Sequence, residues 1–84
     1  SPTDVRKKLL RLSQGRRTVA ELSVEFRTVA ALSTWNEDAL KGAFTEALND
    51  RIKNQLALIP EPDSLEDLIR LAITIDKVQR ELLR

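Results

Sequence analysis

Apolar residues recur along this chain at helical spacing, in five blocks separated by short polar or proline-containing breaks. Over residues 3–13, Val5, Leu9 and Leu12 fall at i, i+4 and i+7, and Leu10 widens that face. Gly15 follows as a stop, because glycine tolerates the left-handed conformation that ends helices. Arg11 suits the negative end of the helix dipole. A second helix is predicted over residues 18–33. Thr18-Val19-Ala20-Glu21 is a capping box, and Val19, Leu22, Phe26, Val29 and Ala30 form its stripe, which Leu32 extends toward Trp35. The third, over residues 36–48, starts at Asn36, with Glu37 and Asp38 in the first turn where the dipole favours anions. Leu40, Phe44 and Leu48 make its stripe, with Ala39, Gly42 and Ala43 beside it.

Asn49-Asp50 breaks that pattern and caps a short fourth helix over residues 50–58, with Ile52, Leu56 and Ile59 as its apolar positions. Pro60-Glu61-Pro62 ends it. The fifth helix, over residues 64–83, opens at Ser64 with Asp67 as a shorter capping-box partner. Its apolar residues, among them Leu65, Leu68, Ile69, Ala72 and Val78, cover far more than one stripe. A helix of that kind is central to its bundle, or also meets a partner. Asp76 lies among these apolar neighbours, which an exposed position or a pairing with a base would explain. The connections are short and no segment alternates like a strand. The expected fold is a compact all-α five-helix bundle in one domain, residues 1–84. Leu22, Val29, Trp35, Leu40, Phe44, Leu48, Leu68 and Ala72 are its predicted core. Trp35 is the one of these whose indole could equally anchor an interface. Gly42 in mid-helix either serves close helix approach or is merely tolerated.

Composition narrows the function. A chain of 84 residues is small for one core. It buries only roughly 60–65% of its unfolded surface, so oligomerisation would help it. There is no Cys and no His, which removes disulfides, thiolate metal sites and the commonest general base. Acidic pairs such as Glu37-Asp38 and Glu66-Asp67 sit at helix starts, where capping explains them. No EF-hand spacing or glycine-rich phosphate loop occurs. Neither an enzyme nor a bound cofactor is expected. No apolar run approaches a membrane span and no signal peptide is visible, so a cytoplasmic location is the default expectation. The chain also holds no Met, initiator included, which leads us to expect a segment of a longer protein.

The net charge of +1 hides an asymmetry. Residues 1–17 carry six basic groups against Asp4, a balance of +5, and the remainder carries −4. The basic start, with Arg16 and Arg17 at its end, is either a solvated face or a nucleic-acid contact. Phe26, Trp35 and Phe44 are the only aromatics, and two lie on core stripes, so no stacking platform is evident. What remains in excess is apolar and small-residue surface, which self-association would bury.

Several segments, in order, resemble a known family. They are L-R-L-S-Q-G ending at Gly15, T-V-A-E-L-S-V-E-F ending at Phe26, T-W-N ending at Asn36, the run from Ala39 to Ala57, and S-L-E-D-L-I-R-L-A-I-T-I-D ending at Asp76. Together they resemble the C-terminal capsid lobe of gypsy-type LTR retrotransposon Gag proteins, in particular the sushi class and its domesticated mammalian descendants. Gln14, Gly15, Glu21 and Phe26 resemble a version of the retroviral major homology region, one residue shorter between Gln14 and Phe26. The resemblance implies a lobe that homodimerises and joins subunits in a capsid-like particle. The two-fold contact would fall on the helix after the homology helix, here on the outward residues Ala39, Gly42, Ala43 and Glu46. It implies RNA binding only through regions outside this chain, since a zinc knuckle needs Cys and His. A SCAN-like interaction domain of a host regulator is the alternative reading.

Overall fold

The computed structural model describes residues 1–84, and all five expected helices are present with no strand. They are α1 (Pro2–Arg11), α2 (Val19–Ala30), α3 (Glu37–Ala47), α4 (Asp50–Leu56) and α5 (Leu65–Leu82). α5 runs through the middle and packs on α2, α3 and α4, while α1 lies across α2 and α3.

Local chemistry sets most of the helix starts. Ser1 and Asp4 form a capping box on α1, with Pro2 at the first helical position, where a missing N–H costs nothing. Thr18 and Glu21 form the expected box on α2. The Asn36 side chain accepts the Ala39 N–H at 2.8 Å, and the Ser64 hydroxyl accepts the Asp67 N–H at 3.1 Å. Asn49 precedes α4 but makes no side-chain cap; its amide instead donates to the Gly15 carbonyl at 3.0 Å.

The helix ends fall short of the sequence expectation. α1 stops before an extended Leu12 (ψ 138), so Gly15 is not its stop. Gly15, at φ +58, shapes the turn beyond, once the chain has dropped Gln14 into the interior. α2 ends at Ala30 because the following residues tighten: the Leu32 and Ser33 N–H groups donate three residues back, and the Ser33 hydroxyl caps the Ala30 carbonyl. Leu32 is left 70% exposed, and Leu10 on α1 is 67% exposed.

The core is built where the stripes predict, with two shifts. Leu9, Leu22, Phe26, Val29, Phe44, Leu48, Ile52, Leu68, Ile69 and Ala72 are buried. Each large apolar side chain so buried contributes about 1.5–3 kcal/mol. Phe26 and Phe44 meet edge to face, 5.1 Å between ring centroids, and join α2 to α3. Leu40 and Trp35, both assigned to the core, are only half-buried and pack against its edge. α3 is rotated so that Lys41, Phe44, Ala47 and Leu48 face inward. The Lys41 stem covers apolar surface while its ammonium is held by the Pro62 carbonyl at 3.2 Å and the Asp63 carbonyl at 3.5 Å. A lysine so held reads as polar in a stripe analysis, which places Leu40 inward in its stead.

Two carboxylates give a pH expectation. The Thr18 backbone N–H and hydroxyl hold Glu21 below the ordinary glutamate value of 4.5, and the Arg27 guanidinium does the same to Glu66. A depressed folded-state value means their stabilisation is complete above about pH 4.5 and is lost as pH falls through the lower folded values. The melting temperature should therefore be flat near neutrality and fall in acid. Glu21→Gln should shallow that fall in a pH series of thermal melts, and an unchanged slope would exclude the cap as a contributor.

Candidate self-association surface and the polar lock behind it

Of Gln14, Gly15, Glu21 and Phe26, Gln14 forms a structural lock. Gln14 is fully buried. Its Oε1 accepts the Asn49 N–H at 2.9 Å, its Nε2 donates to the Arg17 carbonyl at 3.0 Å, and its backbone N–H donates to the Ala47 carbonyl at 2.7 Å. One side chain thus ties the α1–α2 turn to the joint between α3 and α4. Glu21 stays local, accepting the Thr18 N–H at 2.9 Å, and Phe26 sits in the core.

The lock continues into α5 through a buried carboxylate. Asp76 is 1% exposed. Its Oδ2 accepts the Val19 N–H at the start of α2 at 2.9 Å, and its Oδ1 accepts from the Arg80 Nε at 3.0 Å, with the Arg51 guanidinium at 3.7 Å. Arg80 then donates to the same Arg17 carbonyl that Gln14 uses, at 3.0 Å. Pairing with a base is therefore the explanation of Asp76, and exposure is not. The clue was its register: Asp76 lies four residues after Ala72 and seven after Ile69, on the buried line of α5.

Arg16 and Arg17, paired by the sequence reading as one basic contact, part company. Arg17 turns inward, bonding the Glu25 carboxylate and the Ser13 carbonyl, both at 2.7 Å. Its guanidinium is occupied by the fold. Arg16 is exposed.

In front of the lock, α1 and α3 border an open apolar groove. Ala39, Gly42, Ala43 and Glu46 line it from α3, and Leu9, Leu10 and Trp35 close its other side. The four outward residues named from the sequence are thus brought together on one surface, with Trp35 at its edge. Gly42 itself faces open space: a Cβ added there would meet nothing within 4 Å. Close helix approach inside the lobe is therefore not what Gly42 serves. Glu46 reaches Lys53 at 3.5 Å, an exposed pair worth little.

No group of three or more His, Cys, Asp or Glu residues could hold a metal ion, and no helix is long and apolar enough to cross a membrane. The fold and its exposed groove define a small all-α helical module. The chain matches the family described as PEG10/RTL1, C-terminal capsid-like domain, over residues 5–79, and belongs to it. It is a domesticated capsid module derived from a gypsy-retrotransposon Gag protein, and its family is structural rather than catalytic.

Proposed function

We propose that this lobe homodimerises through the α1–α3 groove and so joins subunits of a capsid-like particle. The observation that carries this reading is the open small-residue face of α3. Ala39 and Gly42 are exposed, Ala43 is half-buried, and Leu10 stands beside them with most of its side chain in water. Small residues let a second backbone come close, and a flanking leucine with one indole supplies the apolar anchor such a contact needs. The capsid-like family supports the same direction.

Light scattering across a concentration series up to the millimolar range should show a dimer or larger species. Gly42→Glu should return the chain to monomer. Because the site is open in the lobe, the same change should not damage the fold; alanine in place of a mid-helix glycine gains about 0.5–1 kcal/mol, and glutamate less, because Asp38 and Glu46 lie four residues to either side. Ala43→Asp should have the same effect on association. Loss of association in Gly42→Glu, with a melting temperature equal to that of the wild type when both are dilute enough to be monomeric, separates an interface from a core defect. A wild-type chain that stays monomeric at millimolar concentration would sink the proposal. A chain that is monomeric alone yet captures a different helical domain at this groove would favour the interaction-module reading instead.

A further inference from the structure

The lobe holds most of its basic side chains in ion pairs, and those it leaves free are gathered at one end. Eight of its fourteen Lys and Arg residues, from Arg17 to Arg84, lie within 4 Å of a carboxylate. The unpaired ones are Arg6, Lys7, Lys8, Arg11, Arg16 and, far along the chain, Lys77. The first five are all exposed, and none of their side chains makes a hydrogen bond to the protein. Asp4, the sole acid of this region, is engaged by Ser1. Lys7 and Arg11 stand two residues before and after buried Leu9, which puts them on the side of α1 nearly opposite the core.

We propose that this free cationic face of α1, with Arg16, binds the phosphate backbone of nucleic acid without sequence preference. The face offers charge without an apolar anchor. A protein partner draws most of its affinity from buried aromatic or aliphatic anchors, whereas a phosphate backbone needs only mobile cations that displace its counterions. Stable docking on a membrane takes an inserted apolar stripe or lipid anchor in addition to basic charge. Val5, Leu9 and Leu12 are turned into the lobe, and Leu10 belongs to the groove beside α3. Residues 6–11 span about 8 Å along the helix axis, and the long side chains of Lys8 and Arg16 extend the track sideways, so that each of the five cations can reach a phosphate of its own. Arg17, bound to Glu25, takes no part. This binding does not depend on self-association.

The test uses a fluorescein-labelled mixed-sequence RNA of about 20 nucleotides, titrated with the chain and followed by anisotropy between about 50 and 200 mM salt. Five contacts give an expected slope of log K on log salt of about −3.5, at about −0.7 per phosphate for single strands. The triple variant Lys7→Gln, Lys8→Gln, Arg11→Gln should bind more than tenfold weaker, with a slope near about −1.4. Circular dichroism should find it folded, because none of the three side chains is used by the lobe. The control Arg70→Gln, Lys77→Gln, Arg84→Gln removes equal charge from α5 and the tail and should change affinity less than threefold. Absence of salt-dependent binding would overturn the proposal. So would an equal loss in the control, which would make the effect one of net charge. Stronger capture by phosphatidylserine vesicles than by the RNA would assign the face to membrane and overturn it as well.

Discussion

Asp76→Ala is expected to lower the unfolding free energy by about 3–4 kcal/mol, the lower part of the usual cost of breaking a buried charge pair, because the Arg80 and Arg51 side chains left behind are 39% and 41% exposed. The stake is large, since a chain of 84 residues has a total stability of about 4–13 kcal/mol. Three things fail together. The Val19 N–H, one of the four orphan donors at the start of α2, loses its acceptor in a buried setting. Arg80 and Arg51 lose the charge that gathers them. The bond from Arg80 to the Arg17 carbonyl then holds an uncompensated cation in place, or breaks. Asp76→Asn keeps an acceptor for Val19 but not the charge, and should cost about half as much. Urea unfolding, followed by far-UV circular dichroism and by the fluorescence of Trp35, the only tryptophan, gives the number. A cost below about 1 kcal/mol would mean that α5 is held to α2 by apolar packing alone and that the carboxylate is incidental.

Gln14→Ala should cost about 2–4 kcal/mol, from an orphaned Asn49 N–H and a cavity where a fully buried side chain stood. The Arg17 carbonyl keeps one donor, Arg80, so the loss is smaller than for Asp76. Gln14→Glu is the sharper variant. It preserves shape and the acceptor for Asn49, but it turns the donor facing the Arg17 carbonyl into a second acceptor. If hydrogen-bond polarity decides, Gln14→Glu is as damaging as Gln14→Ala in the same unfolding assay. If filling the space is what counts, Gln14→Met, close in volume but without either side-chain bond, is nearly neutral, and the lock would reduce to packing.

The α3 surface and the lock behind it differed in how far sequence could reach. Ala39, Gly42, Ala43 and Glu46 could be separated from Phe44 and Leu48 by helical register alone, because outward position on a helix is a local property. Gln14 could be singled out by resemblance, but its partners could not. Asn49 lies 35 residues away and Ala47 on another helix, and only packing brings them into reach. Arg16 and Arg17 were indistinguishable as neighbours in a basic run. The turn at Gly15 sends one outward and the other toward Glu25. Lys41 and Leu40 exchanged places because a periodicity reading grades residues by polarity, whereas a lysine with carbonyl partners can line a core.

The sequence by itself determined the five helices, the caps at Thr18, Asn36 and Ser64, most of the core, and the absence of thiol or imidazole chemistry. All of these follow from residue type and short-range spacing, where hydrogen bonding within a turn and the 3.6-residue period act. Only the tertiary structure decided that Asp76 is a buried clasp on α2, that Gln14 and Arg80 share one carbonyl, and that Leu10 and Trp35 border an open groove with α3. It also decided which cations remain free, because ion pairing depends on distances between helices. Those are fixed only once the apolar faces have been buried against one another.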